Sequence, residues 1–246
     1  MPLHTAKQIE TVSRRTVEIL QSHGLPCCLV GSSATTLWGV NRVPNDIDVF
    51  VMSPAHTQEQ LKQLLAVDPA YTLKPSANPQ NTYKVVWYTI PGISNIQIKV
   101  DILVPPVMNI PWVAASRFVW FKNKTLPSMP LLPLLLLKLQ AWDDHRNHHL
   151  SNYRSKQFID VQDITHLLDI AMRKGIHRTD SEWEWLPASF LREGRRRVWL
   201  YTNFYPASSG SWAAIGFEKA VLIESYGIQT SERSSTRKRS RRRRPK

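Results

Sequence analysis

The chain has 246 residues, of which 42% are hydrophobic, and it contains nine Trp; this is enough apolar material for the core of one large domain or two small ones. No apolar run approaches the roughly 20 residues of a membrane span, and the first residues lack the apolar stretch of a signal peptide. We therefore predict an intracellular protein that does not cross a membrane.

The net charge of +13 is concentrated at one end of the chain. Residues 231–246 hold nine Lys or Arg and one Glu, which is +8 and leaves +5 for residues 1–230. Such a segment cannot bury apolar surface, so we predict that it is disordered. Basic clusters of this kind are typical of nuclear-import and of nucleic-acid-binding segments. The tail therefore favours a nuclear over a cytoplasmic location, or RNA as a partner, without separating the two.

The hydrophobic spacing predicts alternating helices and strands in the first half of the chain. A helix is predicted over residues 6–23, because apolar side chains recur there at helical spacing and Gly24 and Pro26 follow. Further helices are predicted over residues 33–38 and 56–66, and strands over residues 27–30, 46–51, 71–73, 83–90 and 95–104. A βαβ start followed by hairpin-linked strands predicts an α/β fold with a mixed sheet flanked by helices.

The strand over residues 46–51 begins with two acids one residue apart. Side chains alternate along a strand, so Asp46 and Asp48 share one face while Ile47 and Val49 take the other. Like charges on one face repel, and a divalent cation relieves the repulsion, because hard metals such as Mg²⁺ prefer carboxylate oxygens. The pair therefore predicts a metal site.

A Gly-Ser turn stands between the first two strands. Gly31 lets the backbone approach a ligand closely, Ser32 adds a hydroxyl, and the N–H groups of the helix that starts at Ser33 point toward an anion. A phosphate on this side and a metal on the other predict that a nucleoside triphosphate lies between them.

These two motifs resemble the signature of the DNA polymerase β-like nucleotidyltransferase superfamily, here Val30-Gly31-Ser32 and Asp46-Ile47-Asp48-Val49. Arg42 resembles the lead-in of the AbiEii-like toxin branch, although Pro44 stands where that branch often has Ser or Thr. The resemblance covers most of residues 25–170. It implies transfer of a nucleoside monophosphate from an NTP such as ATP to an acceptor hydroxyl, with release of pyrophosphate. The implied cofactor is a pair of Mg²⁺ ions, with Mn²⁺ as the alternative.

A third acid is expected on a later strand, and Val100-Asp101-Ile102 supplies it. Ile98, Val100 and Ile102 share one face of that strand, whereas Lys99 and Asp101 share the other. An ordinary exposed strand acid is the other interpretation. The resemblance implies that Asp46 and Asp48 bridge both ions and that Asp101 binds the ion that activates the acceptor hydroxyl.

Residues 105–130 are rich in proline and are predicted to be mainly loop, with a short strand at residues 118–121. The apolar helix that follows, from residue 131 to about residue 145, contains Lys138. Lys138 is interpreted either as a lysine that snorkels to the surface or, from the resemblance, as one that faces the nucleotide. Asp160 and Asp163 match two acids of the AbiEii-like branch; we favour a nucleotide-binding role for Asp160 and leave Asp163 open.

Two other polar groups in this half are interpreted as surface groups. Lys156 is expected to be a helix-surface residue. His145, His148 and His149 are expected to be solvated rather than zinc ligands, because no cysteine lies nearby. A capping box at residues 181–184 predicts the start of a further helix.

The sequence thus predicts a nucleotidyltransferase domain over residues 1–130, an α-helical domain over residues 131–230 and the tail. The catalytic and metal-binding residues are expected to be Asp46, Asp48 and Asp101, and the nucleotide-binding residues Gly31, Ser32, Ser33, Arg42, Lys138 and Asp160. The alternative is a non-catalytic nucleotide- or nucleic-acid-binding protein that retains the fold. The acceptor is left open among RNA 3′ ends, proteins and small molecules, and so is the oligomeric state.

Overall fold

The computed structural model describes residues 4–77, 79–92, 96–105 and 107–218. The predicted disordered tail and residues 219–230 of the predicted helical domain lie outside the described residues. Among the described residues, no helix is long and apolar enough to cross a membrane.

A mixed sheet of seven strands, in the order β3-β4-β5-β2-β1-β7-β6, organises the first half of the chain. The strands are β1 (Cys27–Val30), β2 (Asp46–Val51), β3 (Tyr71–Pro75), β4 (Lys84–Thr89), β5 (Gln97–Leu103), β6 (Val119–Phe121) and β7 (Leu126–Ser128). The pairs β2/β5 and β1/β7 are parallel, and the other neighbours are antiparallel. The predicted α/β fold with a mixed sheet is therefore confirmed.

Helices flank the sheet and form the C-terminal region. They are α1 (Ala6–Ser22), α2 (Gly31–Trp38), α3 (Gln58–Leu65), α4 (Leu131–Arg146), α5 (Ser151–Arg154), α6 (Gln157–Arg173), α7 (Ala188–Phe204) and α8 (Ser209–Ala214). Helix α4 is apolar around almost its whole circumference and is buried between α2, α6 and α7, as expected for a helix without a polar face. The division of the chain into two domains at residue 130 stays a prediction.

Three local expectations were wrong. The short helix α2 turns the chain back along β1, so β1 and β2 are antiparallel and do not form a parallel βαβ unit. Residues 126–128 form strand β7 inside the stretch expected to be loop. The capping-box residues Ser181–Trp183 form a 3-10 turn, and α7 begins only after Pro187, because the residue before a proline disfavours the helical conformation.

Candidate functional site

The parallel pair β2/β5 brings two of the predicted acids side by side. Asp48 of β2 is the register partner of Asp101 of β5, and Asp46 is the partner of Lys99. Partners in a sheet point to the same face, so the three acids and Lys99 share one face. On β5 the apolar residues of the opposite face are buried and the polar ones are partly exposed, as the alternation predicted.

Gly31 is required where the chain passes from β1 into α2. Its φ of +57° lies in the left-handed region, which side chains disfavour. A Cβ atom at this position would also overlap Oδ2 of Asp48 and would lie 2.8 Å from its Cγ. The glycine therefore lets the Asp48 carboxylate lie against the backbone at the start of α2.

The charges of the acids are unevenly balanced. Burial, the charge of Asp46 and the charge of Asp101 raise the pKa of Asp48 to about 7. Asp101 is paired with Lys99, whose Nζ lies 2.5 Å from Oδ2 of the carboxylate. Burial acts to lower the pKa of Lys99, but the effect of Asp101 is larger than that of burial, so the pKa of this lysine is raised. Among the described residues, no group of three or more His, Cys, Asp or Glu side chains is arranged so that it could hold a metal ion as it stands.

Arg42, in the loop before β2, is anchored to helix α6. Its Nε and Nη2 each donate to a different carboxylate oxygen of Asp163 at 2.7 Å, and Nη2 also donates to Oγ of Ser32. The Asp163 side chain is fully buried. Burial opposes its ionisation, but the hydrogen bond from Arg42 and the charge of Lys138 outweigh burial and lower the pKa of Asp163.

Lys138 on α4 joins the same network and does not snorkel to the surface. Its Nζ lies 2.9 Å from Asp163, 3.7 Å from Asp160 and 3.5 Å from Oγ of Ser32. The side chain is only 8% exposed. Arg42 and Lys138, which lie on different elements, therefore converge on the Ser32 hydroxyl, and Asp163 forms an ion pair with each of them.

His145 departs from the expectation of a solvated histidine. Its Nδ1 donates to Oδ2 of Asp160 at 2.6 Å, and its side chain is 25% exposed. The ring thereby ties the end of α4 to the first turns of α6 beside Lys138.

A cavity of about 380 Å³ lies between the sheet and helices α4 and α6. Its polar wall contains seven of the predicted site residues: Gly31, Ser32, Arg42, Asp46, Asp48, Lys138 and Asp160. The apolar wall is formed by Leu103, Met108, Ile110, Leu134 and Leu137. The lining of the cavity thus combines cations, a hydroxyl, carboxylates and an apolar surface.

Two predicted residues do not line this cavity. Ser33 is buried and supports the sheet: its Oγ accepts from the backbone N–H of Asp48 at 3.4 Å and donates to the carbonyl of Val30 at 3.4 Å. Asp101 lies beside Asp48 but is held by Lys99. Lys156, expected to be a surface residue, is exposed and also lines the cavity.

Lys99 is the site residue that sequence reasoning missed, and Asp163 is the one whose role it left open. For Lys99 a signal was present, since it shares a strand face with Asp101 two residues away. For Asp163 the spacing of three residues from Asp160 suggested a shared helix face, but nothing in the sequence indicated that this face was buried against Arg42.

The fold defines the class of protein to which this chain is similar. A crystal structure of an antigenic nucleotidyltransferase-like protein from Paracoccidioides brasiliensis superposes with a TM-score of 0.63 at 14% identity, over 89% of this chain and 98% of that one. JHP933 from Helicobacter pylori superposes with a TM-score of 0.49 at 15% identity, over 89% of this chain and 86% of that one. No protein-family model and no curated protein matches the chain. The predicted nucleotidyltransferase-like fold is confirmed, and the AbiEii-like branch stays a prediction.

Proposed function

We propose that this protein is a metal-dependent nucleotidyltransferase that moves a nucleoside monophosphate from an NTP to an acceptor hydroxyl and releases pyrophosphate. The observation that carries the proposal is the register of Asp48 beside Asp101, next to a glycine that leaves room for the Asp48 carboxylate. A sheet gains nothing in stability from like charges on adjacent positions, and Asp48 lies in the cavity wall, so we infer that the pair serves a ligand.

The chemistry of the donor set, rather than its present arrangement, suits a divalent cation. Asp46, Asp48 and Asp101 offer hard carboxylate oxygens, and burial together with the charges of Asp46 and Asp101 raises the pKa of Asp48, which a bound cation would oppose. These three residues would hold the metal. When bound, such ions neutralise the triphosphate and lower the pKa of the attacking hydroxyl.

The remaining residues of the cavity would position the nucleotide. Ser32, Arg42 and Lys138 meet at one point, where they would donate to the phosphates that leave as pyrophosphate. Asp163 would fix the two cations without touching the nucleotide. Met108 and its apolar neighbours give a surface against which a base can pack. Phosphoryl transfer depends mainly on positioning and on charge neutralisation, and this set of residues supplies both.

The Lys99–Asp101 ion pair favours a second candidate, a protein that binds the nucleotide but does not transfer it. Lys99 already forms an ion pair with Asp101, the third carboxylate. A single metal ion held by Asp46 and Asp48 would then suffice for binding the nucleotide alone. The two candidates differ in whether pyrophosphate is released.

The test uses the full chain with Mg²⁺ and each NTP labelled at the α-phosphate, incubated with RNA, protein and small-molecule fractions. Transfer of label to one fraction with matching release of pyrophosphate supports the enzyme. NTP binding without pyrophosphate release in any fraction supports the non-transferring protein. Absence of NTP binding contradicts both.

The control variant is Asp169→Asn, which removes an acid from an exposed ion pair with Arg173 on the same helix as Asp160. It should transfer label as the wild type does. Asp48→Asn keeps the shape of the side chain and removes its charge, so it should abolish transfer.

A further inference from the structure

A cluster of aromatic and basic side chains lies beside the nucleotide cavity, and the proposed function does not use it. We name it the aromatic-basic surface; its members are His148, His149, Tyr153, Lys156 and Phe158. The ring of His148 stacks on His149 and on Tyr153, with centroids 4.5 Å and 4.3 Å apart. Lys156 Nζ lies 4.7 Å from the Tyr153 centroid. The rings of His148, His149 and Tyr153 form a preassembled column with the Lys156 cation over its Tyr153 end, and Phe158 is an exposed ring two residues after Lys156.

The surface is exposed and free of acids. Phe158 is 63% and Tyr153 is 39% exposed, whereas large side chains that pack only for stability are usually buried. Residues 145–159 contain no Asp or Glu, but they contain Arg146, Arg154 and Lys156 as well as the histidines. Flat apolar rings with cations between them suit a polyanion that carries flat rings of its own, which is single-stranded nucleic acid.

The aromatic-basic surface is continuous with the nucleotide cavity. Lys156 belongs to both, and the neighbouring residues Ile159 and Asp160 also line the cavity. Ile159 is 43% exposed, whereas Asp160 is buried and paired with His145. The first turn of α6 therefore leads from the exposed rings into the cavity.

Resting on the proposed function, we propose that the aromatic-basic surface binds the 3′ end of a single-stranded nucleic acid, which is the acceptor. The terminal bases stack on the exposed rings and the basic side chains contact the phosphates, so that the last nucleotide reaches the cavity. Its 3′-hydroxyl oxygen forms a bond to the α-phosphorus of the NTP, and the bond from that phosphorus to the bridging oxygen breaks. The electron pair leaves with pyrophosphate, and the hydroxyl proton passes to water.

The test measures binding of the full chain to labelled single-stranded RNA and DNA of the same sequence and of about ten nucleotides, a length within the range that such platforms cover. No NTP is present, and the salt concentration is raised to weaken the contribution of the basic tail. The double variant Tyr153→Ala/Phe158→Ala should raise the Kd for RNA, DNA or both by about tenfold or more. Its affinity for NTP should equal that of the wild type.

Tyr83→Ala is the matched control. Tyr83 is 48% exposed and has Lys62 Nζ 5.2 Å from its centroid, so it repeats the chemistry of Tyr153 at a position outside the aromatic-basic surface. An unchanged Kd for both nucleic acids in the double variant, or an equal loss in Tyr83→Ala, overturns the proposal.

Failure of this inference differs from failure of the proposed function. If the wild type transfers label to a protein or small-molecule fraction and not to nucleic acid, the acceptor assignment is wrong and the enzyme stands. If the wild type binds RNA through Tyr153 and Phe158 but releases no pyrophosphate, the aromatic-basic surface is a nucleic-acid-binding surface and the proposed enzymatic function is wrong.

Discussion

Asp163 of helix α6 holds Arg42 of the loop before β2 through two parallel hydrogen bonds of 2.7 Å each. Arg42 in turn reaches Ser32, so a buried carboxylate in the helical region sets the position of a cation at the glycine-serine turn. The pair therefore connects the stability of the molecule with the shape of its cavity.

Replacing Asp163 with Asn should destabilise the protein and weaken NTP binding. Removing one partner from a buried ion pair costs about 3 to 5 kcal/mol, because the other charges stay buried without compensation. The folded-state pKa of Asp163 lies below its ordinary value of 3.8. Its contribution to the free energy of unfolding is therefore present at neutral pH and is lost as the pH falls below that value.

Denaturant unfolding at pH 7 and near pH 3 measures the difference in the free energy of unfolding between the wild type and Asp163→Asn. It should be large at pH 7 and should shrink at the acidic pH. Asp169→Asn, which breaks an exposed pair, should change the free energy of unfolding by less than about 0.5 kcal/mol at both pH values. An equal difference for Asp163→Asn at both pH values would contradict the assigned ion pair.

Replacing Gly31 with Ala should abolish transfer, because the new Cβ collides with the Asp48 carboxylate. Gly24→Ala is the matched control, since Gly24 also has a positive φ of +71° but an added Cβ meets nothing within 4 Å. Each variant should lose about 1 kcal/mol of stability from the backbone conformation, and only Gly31→Ala should lose further stability and activity. Thermal unfolding and pyrophosphate release distinguish the two variants; equal behaviour would mean that the close approach of Asp48 to Gly31 is not required.

Replacing Asp48 with Asn should make the metal-free protein more stable at pH 8 while it abolishes transfer. The pKa of Asp48 is raised to about 7, so ionisation of Asp48 is less favourable in the folded than in the unfolded protein. Stability therefore falls as the pH rises from about 4 toward 7. Thermal unfolding in EDTA at pH 5 and pH 8 should show the variant gaining over the wild type at the higher pH. A wild type as stable as the variant at pH 8 would mean that ionisation of the buried Asp48 does not destabilise the fold.

Replacing Lys138 with Met should raise the Kd for NTP by about tenfold or more, because a charge-assisted contact with a phosphate contributes about 1.5 to 3 kcal/mol. Lys62→Met is the matched control. Both lysine side chains are 8% exposed and paired with an acid, but Lys62 does not line the cavity. Calorimetric titration with NTP and Mg²⁺ should show a loss for Lys138→Met alone, and an equal loss for both would assign the effect to folding.

Deleting residues 231–246 should flatten the dependence of nucleic-acid affinity on salt and leave NTP affinity unchanged. Each phosphate that the tail neutralises contributes about −0.9 to the slope on duplex and about −0.7 on single strands. Binding measured over a salt series gives the slope. If the slope is unchanged and nuclear accumulation falls, the tail is an import signal.

The face of each acid could be predicted from sequence, but the neighbour of each strand could not. Alternation along β5 assigned Asp101 and Ile102 to opposite faces, and the burial of that strand agrees. That β5 pairs with β2 depends on contacts distant in the sequence, and only the family resemblance suggested it. Strand β7 was missed because it is three residues long and contains Pro127, which is a poor strand residue.

Charges on helices were the hardest to interpret. Lys138 looked equally suited to the surface and to the nucleotide, since a helical pattern shows which residues share a face but not what covers that face. Asp163 is fully buried, yet its helical spacing from Lys156 and Asp160 is equally compatible with an ion pair on the surface of a helix. Burial of both is set by the packing of α4 against α6 and α2.

The site is assembled from parts that are made at different times. Residues Arg42 and Asp163 are 121 positions apart, so a nascent chain on the ribosome carries the glycine-serine turn and the acids of the sheet well before α6 has been synthesised. Contacts of such long separation form late because their loop-closure entropy is high. A chain whose translation stops before Asp160 therefore has the strands and the acids, but neither Arg42 nor Lys138 has its carboxylate partner. Truncated products should be unable to hold a nucleotide even where their sheet is complete.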